Sequence, residues 1–416
     1  MACLLWENTF YEEGADIATR IAETVRLLPA EKVSAIAIEA RSKMNLRHAP
    51  LLLAREMART FHGKIVADTI EAVVQRADEL AEFLALYWKD GRQPLSAQVK
   101  KGLARAFVKF NEYQLAKYNR DNGVKLRDVL FLCHARPRDA EQEALWKRLI
   151  DGTIAIPDTW ETELSAGKDK RETFSRLMVE GKLGGLALLR NLRNMGEAGV
   201  PTGEIKAAII RMRTDRILPF RFVAASRYAP ALEPQLEEAM FRNVKDLGEL
   251  SGEVTVLVDV SGSMNSKLSE KGDLTRIDAA ASLAMILREV CQNVNVYAFS
   301  DQLAIIPPRR GFALRDAIEK SLPHGGTYLG AAVQKVGQLH PNAMLVTITD
   351  EQSHDAVPNP VGRGFLINVA SNQNGVGYGK WTHIDGFSEN VVRYIMESSI
   401  ERHASGTPET HSENKE

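Results

Sequence analysis

Up to about residue 245, apolar residues recur at three- and four-residue intervals, the spacing of one buried helix face. Segments 31–40, 50–59, 65–75, 80–88, 96–118, 126–135 and 140–150 all follow it, with Gly and Pro kept to the joints. The longest, 96–118, sets Val99, Leu103, Phe107 and Phe110 on one side and Lys101, Arg105 and Lys109 on the other. Many helices of similar length joined by short loops predict an all-α, HEAT-like solenoid, with a helical bundle as the alternative. After Gly248 the period changes. Short β-branched runs at 253–260, 294–300, 344–349, 365–370 and 381–386 alternate with helical patterns at 277–290, 313–321, 329–339 and 389–399. That alternation predicts a parallel, doubly wound α/β sheet covered on both faces. The expected organisation is multidomain: helical 1–248, α/β 249–402, and a tail 403–416 too polar to bury.

Composition narrows this picture without deciding function. The chain has 416 residues and only three cysteines, Cys3, Cys133 and Cys291, without metal spacing. Neither a disulfide framework nor a zinc site is indicated. The longest apolar stretch, 279–287, is too short to span a bilayer, and the start lacks a basic n-region, so no membrane role and a cytoplasmic location are expected. Charge is unevenly spread. Residues 1–250 carry 39 Lys+Arg against 35 Asp+Glu, whereas 251–416 carry 14 against 19. From Ser96 to Arg138 ten basic residues face three acidic ones, either a solvated helix face or the footprint of a nucleic-acid surface.

Candidate chemistry sits at the ends of two apolar runs. Val256, Leu257 and Val258 lead into Asp259, followed by Ser261 and Ser263 with Gly262 between them. Asp350 closes MLVTITD, and Thr327 lies in HGGTYLG, where two glycines allow the backbone close to an ion. Ligands on parallel sheets gather at the carboxyl ends of the strands. Mg²⁺ takes six oxygens and keeps several waters, so two carboxylates and three hydroxyls suit it, or Mn²⁺. The absence of Cys and His from the set disfavours zinc. Such an ion keeps the capacity for one more anionic ligand, such as a partner protein's acidic side chain. Turn residues without a metal are the bland alternative. No catalytic residue is assigned: VSGSM is not a Gly-x-Ser-x-Gly elbow, and His324 and His354 read as loop surface. Binding is expected rather than enzymatic turnover.

Asp259, Ser261, Ser263, Thr327 and Asp350 together resemble the metal-ion-dependent adhesion site of the von Willebrand factor A fold, which implies a Rossmann-like domain holding a divalent cation. In the helical part, KYNRDNGVKLRDVLFLCHARP (117–137), GLALLRNLRNM (185–195) and RILPFRFVAASRYA (216–229) resemble the TROVE domain of the Ro autoantigen family. That family also places a helical domain before an A domain. The resemblance implies a HEAT-repeat ring pinned shut by the A domain, within a ribonucleoprotein of RNA quality control. Single-stranded 3′ ends of defective RNA would enter the hole, and small non-coding Y RNA would bind the outer basic surface. The family's Y-RNA lysine and histidine correspond to Lys117 and His134. A family arginine four residues after that lysine is Asp121 here, with Arg120 beside it. The exchange removes about one phosphate contact and adds repulsion.

Independently of the family, Lys100, Lys101, Arg105, Lys109, Lys117, Arg120, Lys125, Arg127, Arg136 and Arg138 are candidates to neutralise phosphates. Tyr113, Tyr118 and His134 are candidates to stack on unpaired bases. Phe107 and Phe110 are expected in the core. Arg190 and Arg193 lie three apart on an otherwise apolar helix, facing either a lumen or their own helix neighbours.

Overall fold

The computed structural model describes residues 14–404 apart from 120–122, 216, 269–272, 371–378 and 388. The expectations for Arg120, Asp121 and the tail beyond 404 lie outside the described residues. The chain divides into two compact units and passes from one to the other at Leu183–Gly184. The change of period at Gly248 therefore falls inside the second unit, because four helices before it cluster with the sheet.

The first unit contains eleven described helices, from Gly14–Leu27 to Lys170–Val179. Their apolar stripes converge on a core that includes Ile70, Leu80, Phe83, Leu103 and Phe107, all fully enclosed. Phe107 meets Trp146 edge-on, with ring centroids 5.2 Å apart. Burying such a ring stabilises the fold by about 1.5–3 kcal/mol. Helix Ala97–Phe107 crosses helix Lys64–Val73 at Gly102, where an added Cβ would lie 2.8 Å from the Ala67 carbonyl and from Ile70 Cβ. Only glycine permits that approach.

One expected helix is two. The segment 96–118 breaks after Phe107 and restarts as Glu112–Tyr118. The restart is a capping box: Asn111 Oδ1 accepts the Gln114 N–H, and Gln114 Oε1 accepts the Asn111 N–H. The break still leaves Phe110 buried, as expected of it and of Phe107. It leaves Lys109 exposed, however, with its Nζ donating to the carbonyls of Val74 and Glu71 at the end of helix Lys64–Val73.

The second unit opens with helices Gly185–Glu197, Thr202–Arg211, Phe220–Tyr228 and Glu233–Val244. A six-stranded sheet follows: β1 Leu250–Asp259, β2 Cys291–Phe299, β3 Leu303–Ile305, β4 Met344–Thr349, β5 Gly364–Asn368 and β6 Trp381–Asp385. The order is β3-β2-β1-β4-β5-β6, and every pairing is parallel except β2 with β3. The fully parallel expectation is thus corrected at one edge, where the short hairpin strand β3 escaped the apolar pattern. Strand order reverses between β1 and β4, so the ends of these two strands flank the crevice where such sheets bind ligands.

Helices Phe220–Tyr228 and Glu233–Val244 pack on the sheet's own helices Arg276–Val290 and Gly311–Glu319. Arg315 donates to Ser226 Oγ at 2.9 Å and to Glu233 at 3.1 Å, while the Glu237 carboxylate accepts the Phe312 N–H at 2.7 Å. A carboxylate at that helix N-terminus meets both unpaired N–H groups and the positive end of the helix dipole.

Candidate functional site

Val256, Leu257 and Val258 are fully buried in the centre of the sheet, as expected of a strand covered on both faces. The run has to end where the backbone needs oxygen partners, and Asp259 supplies them: its Oδ1 accepts the Ser261 N–H at 2.8 Å and its Oδ2 accepts the Thr349 hydroxyl at 2.7 Å. The second bond ties the end of β1 to the end of β4 across the switch point. Ser261 and Ser263 bring their hydroxyls to 3.3 Å of each other. The Gly262 N–H then donates to the Gly325 carbonyl at 3.0 Å, drawing in the loop that carries Thr327. His354 fastens that loop to the one after β4 through the Thr327 backbone. Farther along, the Asp355 carboxylate caps helix Leu329–Leu339 by accepting the Gly330 and Ala331 N–H groups, each at 2.8 Å.

The three loops carrying the five expected oxygen donors are therefore laced together. Asp259, Ser261, Thr327 and Asp350 are buried, and Ser263 is half-exposed. A cleft of about 420 Å³ opens beside them, lined by Gly262, Ser263, Gly325, Gly326, Thr327 and the residues from Glu351 to His354. His324 and His354 are exposed there but anchored: His324 Nδ1 lies 2.7 Å from the Val260 carbonyl. Neither arrangement makes a nucleophile–base pair with the serines.

Would these donors hold a divalent ion? All are hard oxygens, each bonded carboxylate oxygen of Asp259 keeps a further lone pair, and burial pushes the Asp259 carboxyl up to about 6. A buried carboxylate so disfavoured gains from a cation beside it, so the donor set fits a hard divalent ion.

One side chain already competes for that role. Arg276, first residue of helix Arg276–Val290, reaches Asp350 Oδ2 at 2.6 Å and the Ser263 carbonyl at 3.5 Å. Whether an incoming ion displaces this guanidinium or shares Asp350 with it, a positive charge opposes the ion. Arg276→Gln is therefore expected to tighten Mg²⁺ binding by about tenfold, the scale of one charge-assisted hydrogen bond, as read by isothermal titration calorimetry. Unchanged or weaker binding would mean that Arg276 helps to build the site.

Three residues not singled out from sequence stand next to this centre. Glu351 is buried, and its carboxyl is pushed up mainly by burial, with His383 working against the rise. His383, on β6, contacts Glu351 through Nε2, and that hydrogen bond raises the imidazole pKa; its Nδ1 lies 3.8 Å from Asp385. The three offer ligand atoms within 4.8 Å of one another. The available signal was His383-x-Asp385, two polar residues on one face of a strand.

The candidate phosphate-binding residues fare unequally. In the first unit, Lys100, Lys101, Lys117 and Arg136 form no ion pair with a described carboxylate, and Lys101 and Arg136 are exposed. Lys117 lies 5.7 Å from the centre of the Tyr113 ring, itself 46% exposed. Arg127 is exposed and 4.0 Å from Asp128. Lys125 starts helix Leu126–Cys133, and His134 ends it in the left-handed conformation at φ 53°. Arg105, by contrast, is paired with Asp68 at 2.7 Å and Glu71 at 2.8 Å. Lys109 is committed to backbone carbonyls, and burial pulls its pKa down. Tyr118 lies under Arg76 at 4.8 Å. In the second unit, Arg190 is exposed and Arg193 pairs with Glu197 four residues on.

Comparison with known proteins agrees with this architecture. The TROVE domain family matches residues 147–291, and the von Willebrand factor type A domain matches 254–352. The first match takes in GLALLRNLRNM and RILPFRFVAASRYA but leaves 117–137 outside. Telomerase protein component 1 of Mus musculus is 35% identical over 86 residues, 19% of this chain and 3% of that protein. Its counterpart from Rattus norvegicus is 34% identical over 86 residues, with the same coverage. The chain thus spans a small fraction of these relatives. The solved structure of the Deinococcus radiodurans RO (RSR) protein superposes with a TM-score of 0.66 at 19% identity, covering 91% of this chain and 92% of that one. The chain therefore carries a TROVE domain followed by a von Willebrand factor type A domain, the order of the Ro autoantigen family, on the fold of a Ro protein.

Proposed function

We propose that this protein is an RNA-binding scaffold of the Ro type, which takes up small non-coding, Y-like RNA and single-stranded 3′ ends of misfolded RNA without cleaving them. The supporting observation is that Lys100, Lys101, Lys117 and Arg136 form no ion pair with a described carboxylate, in a chain carrying a TROVE domain. Unpaired lysines and arginines release counterions when they meet phosphates, and this gives strong, salt-sensitive and weakly sequence-selective affinity. The exposed Tyr113 ring beside Lys117 adds a face on which an unpaired base can stack. Mg²⁺ or Mn²⁺ at Asp259, Ser261, Ser263, Thr327 and Asp350 supplies a fixed positive charge in the second unit.

The test is filter binding of single-stranded and hairpin RNA at two salt concentrations, with the RNA recovered intact afterwards. Binding at low salt that weakens steeply with added salt is expected. Background binding at low salt sinks the reading, and shortened RNA after incubation with Mg²⁺ would make the protein a nuclease.

A second reading is favoured by the cleft beside the oxygen donors, which is open at Ser263. A partner protein's Asp or Glu would complete the ion's coordination there, and the module would recruit that protein. Mg²⁺-dependent capture of an acidic peptide, lost on chelation, separates this role from RNA binding.

A further inference from the structure

Another cleft, of about 510 Å³, lies wholly within the first unit and plays no part in the metal chemistry. Its size is in the range of ligand pockets, about 300–1,000 Å³. Trp88, Arg92, Lys100, Phe131 and His134 line it, and no carboxylate does. Helix Leu126–Cys133 buries Leu126, Val129, Leu130 and Cys133 in the core, yet its Phe131 ring is 57% exposed on this wall. Across the cleft, Trp88 is half-buried and donates its indole N–H to the Gln93 carbonyl at 2.8 Å, which fixes the plane of the ring. The Arg92 guanidinium lies 5.0 Å from the centre of that ring.

An exposed aromatic ring, a second ring held in place and three basic side chains are a specific combination. An aliphatic or neutral peptide would have no use for the cations. A duplex could meet the cations but not the rings, because its bases are already stacked on each other. An unpaired nucleotide uses both: its base has a π-face, and its flanking phosphates are anionic. We propose that this cleft binds an unpaired base of single-stranded RNA, stacked on Phe131 and Trp88, with neighbouring phosphates held by Arg92 and Lys100. The proposal rests on the RNA-binding reading and adds to it a base-accepting pocket built on Trp88, Arg92 and Phe131.

The experiment uses the full chain with fluorescently labelled oligouridylate, compared with a blunt-ended RNA duplex of equal length. Phe131→Leu keeps an apolar side chain but removes the π-face, and a mostly exposed position leaves the fold intact, which unchanged thermal unfolding would verify. It is expected to weaken the single strand by about tenfold and the duplex by less than about twofold, in keeping with the usual worth of one base–aromatic stack. Phe131→Trp should restore the single-strand affinity. Arg92→Gln should lower it and flatten its salt dependence. If wild-type protein binds no single strand, the RNA reading falls and the pocket falls with it. If wild type binds and Phe131→Leu binds equally well, the pocket alone is overturned. Loss of an acidic peptide in Phe131→Leu, with single-stranded RNA unaffected, would assign the cleft to a protein partner instead.

Discussion

Asp259→Asn is expected to abolish saturable Mg²⁺ binding while leaving the fold and the RNA affinity in place. The asparagine keeps the shape of the site: its carbonyl still accepts the Ser261 N–H, and its amide can donate to Thr349 Oγ1 once that hydroxyl turns. Charge is what disappears. With Asp350 already paired to Arg276, the loss of Asp259 leaves no uncompensated carboxylate among the five donors to repay the dehydration of a small divalent ion. Outer partners of metal ligands are worth roughly 10–100-fold in affinity, so a buried donor should cost more than about a hundredfold. The sign of the pH effect is also fixed. Burial raises the folded-state carboxyl to about 6, above the ordinary value near 3.9. In metal-free protein this group favours folding below about pH 4, and that contribution is lost as pH rises towards 6. The Asn variant lacks this loss, so at pH 7 it should be at least as stable as metal-free wild type. Mg²⁺ competes with the same proton, so wild-type affinity should fall below about pH 6. Calorimetry with and without Mg²⁺ reads all three effects. Wild-type Mg²⁺ affinity in Asp259→Asn would remove Asp259 from the site, and a parallel loss of RNA affinity would show that the second unit shapes the RNA surface.

How much of this was legible in the letters depends on how local the determining contact is. The strand ends at Asp259 and Asp350 were legible because a buried parallel strand is a largely apolar run, and the carboxylate that closes the run marks its end. Helix 329–339 and strand 344–349 fall at the expected positions for the same reason. The break before Glu112 was also written locally, in Asn111-x-x-Gln114, but the unbroken alignment from Val99 to Phe110 hid it. Strand β3 has three residues, too few for a period to register. Arg276 and His383 were illegible for another reason. Their partners, Asp350 and Glu351, lie far away in sequence, and only the strand order brings them together. The grouping of Arg315 with Glu233 and of Phe312 with Glu237 is equally non-local, so the helices before Gly248 read as part of the helical half. The basic residues of 96–138 show the limit most clearly: the count is in the sequence, whereas which charges are already paired is in the fold.

That distinction leads to the largest effect expected on RNA. Lys100, Lys101, Lys117 and Arg136 replaced together by Glu should reduce affinity for single-stranded RNA by at least about a hundredfold at low salt. Each lost phosphate contact lowers the salt slope by roughly 0.7 for a single strand, so four should remove close to 3 from it. Arg105 is the internal control. It carries the same charge on the same helix as Lys101, but Asp68 and Glu71 already neutralise it. Arg105→Gln should therefore change RNA affinity by less than about twofold and act mainly on stability, where partly exposed pairs are worth about 1 kcal/mol or less. Lys109→Gln should behave alike, because its ammonium already donates to the Val74 and Glu71 carbonyls. Anisotropy titrations of wild type and the three variants across a salt series decide the matter. If the quadruple variant binds like wild type, the cations are a solvated face and the RNA reading loses its support. If Arg105→Gln and the quadruple variant lose affinity in proportion to charge alone, the RNA responds to net charge rather than to the unpaired cations, and the surface assigned to them is wrong.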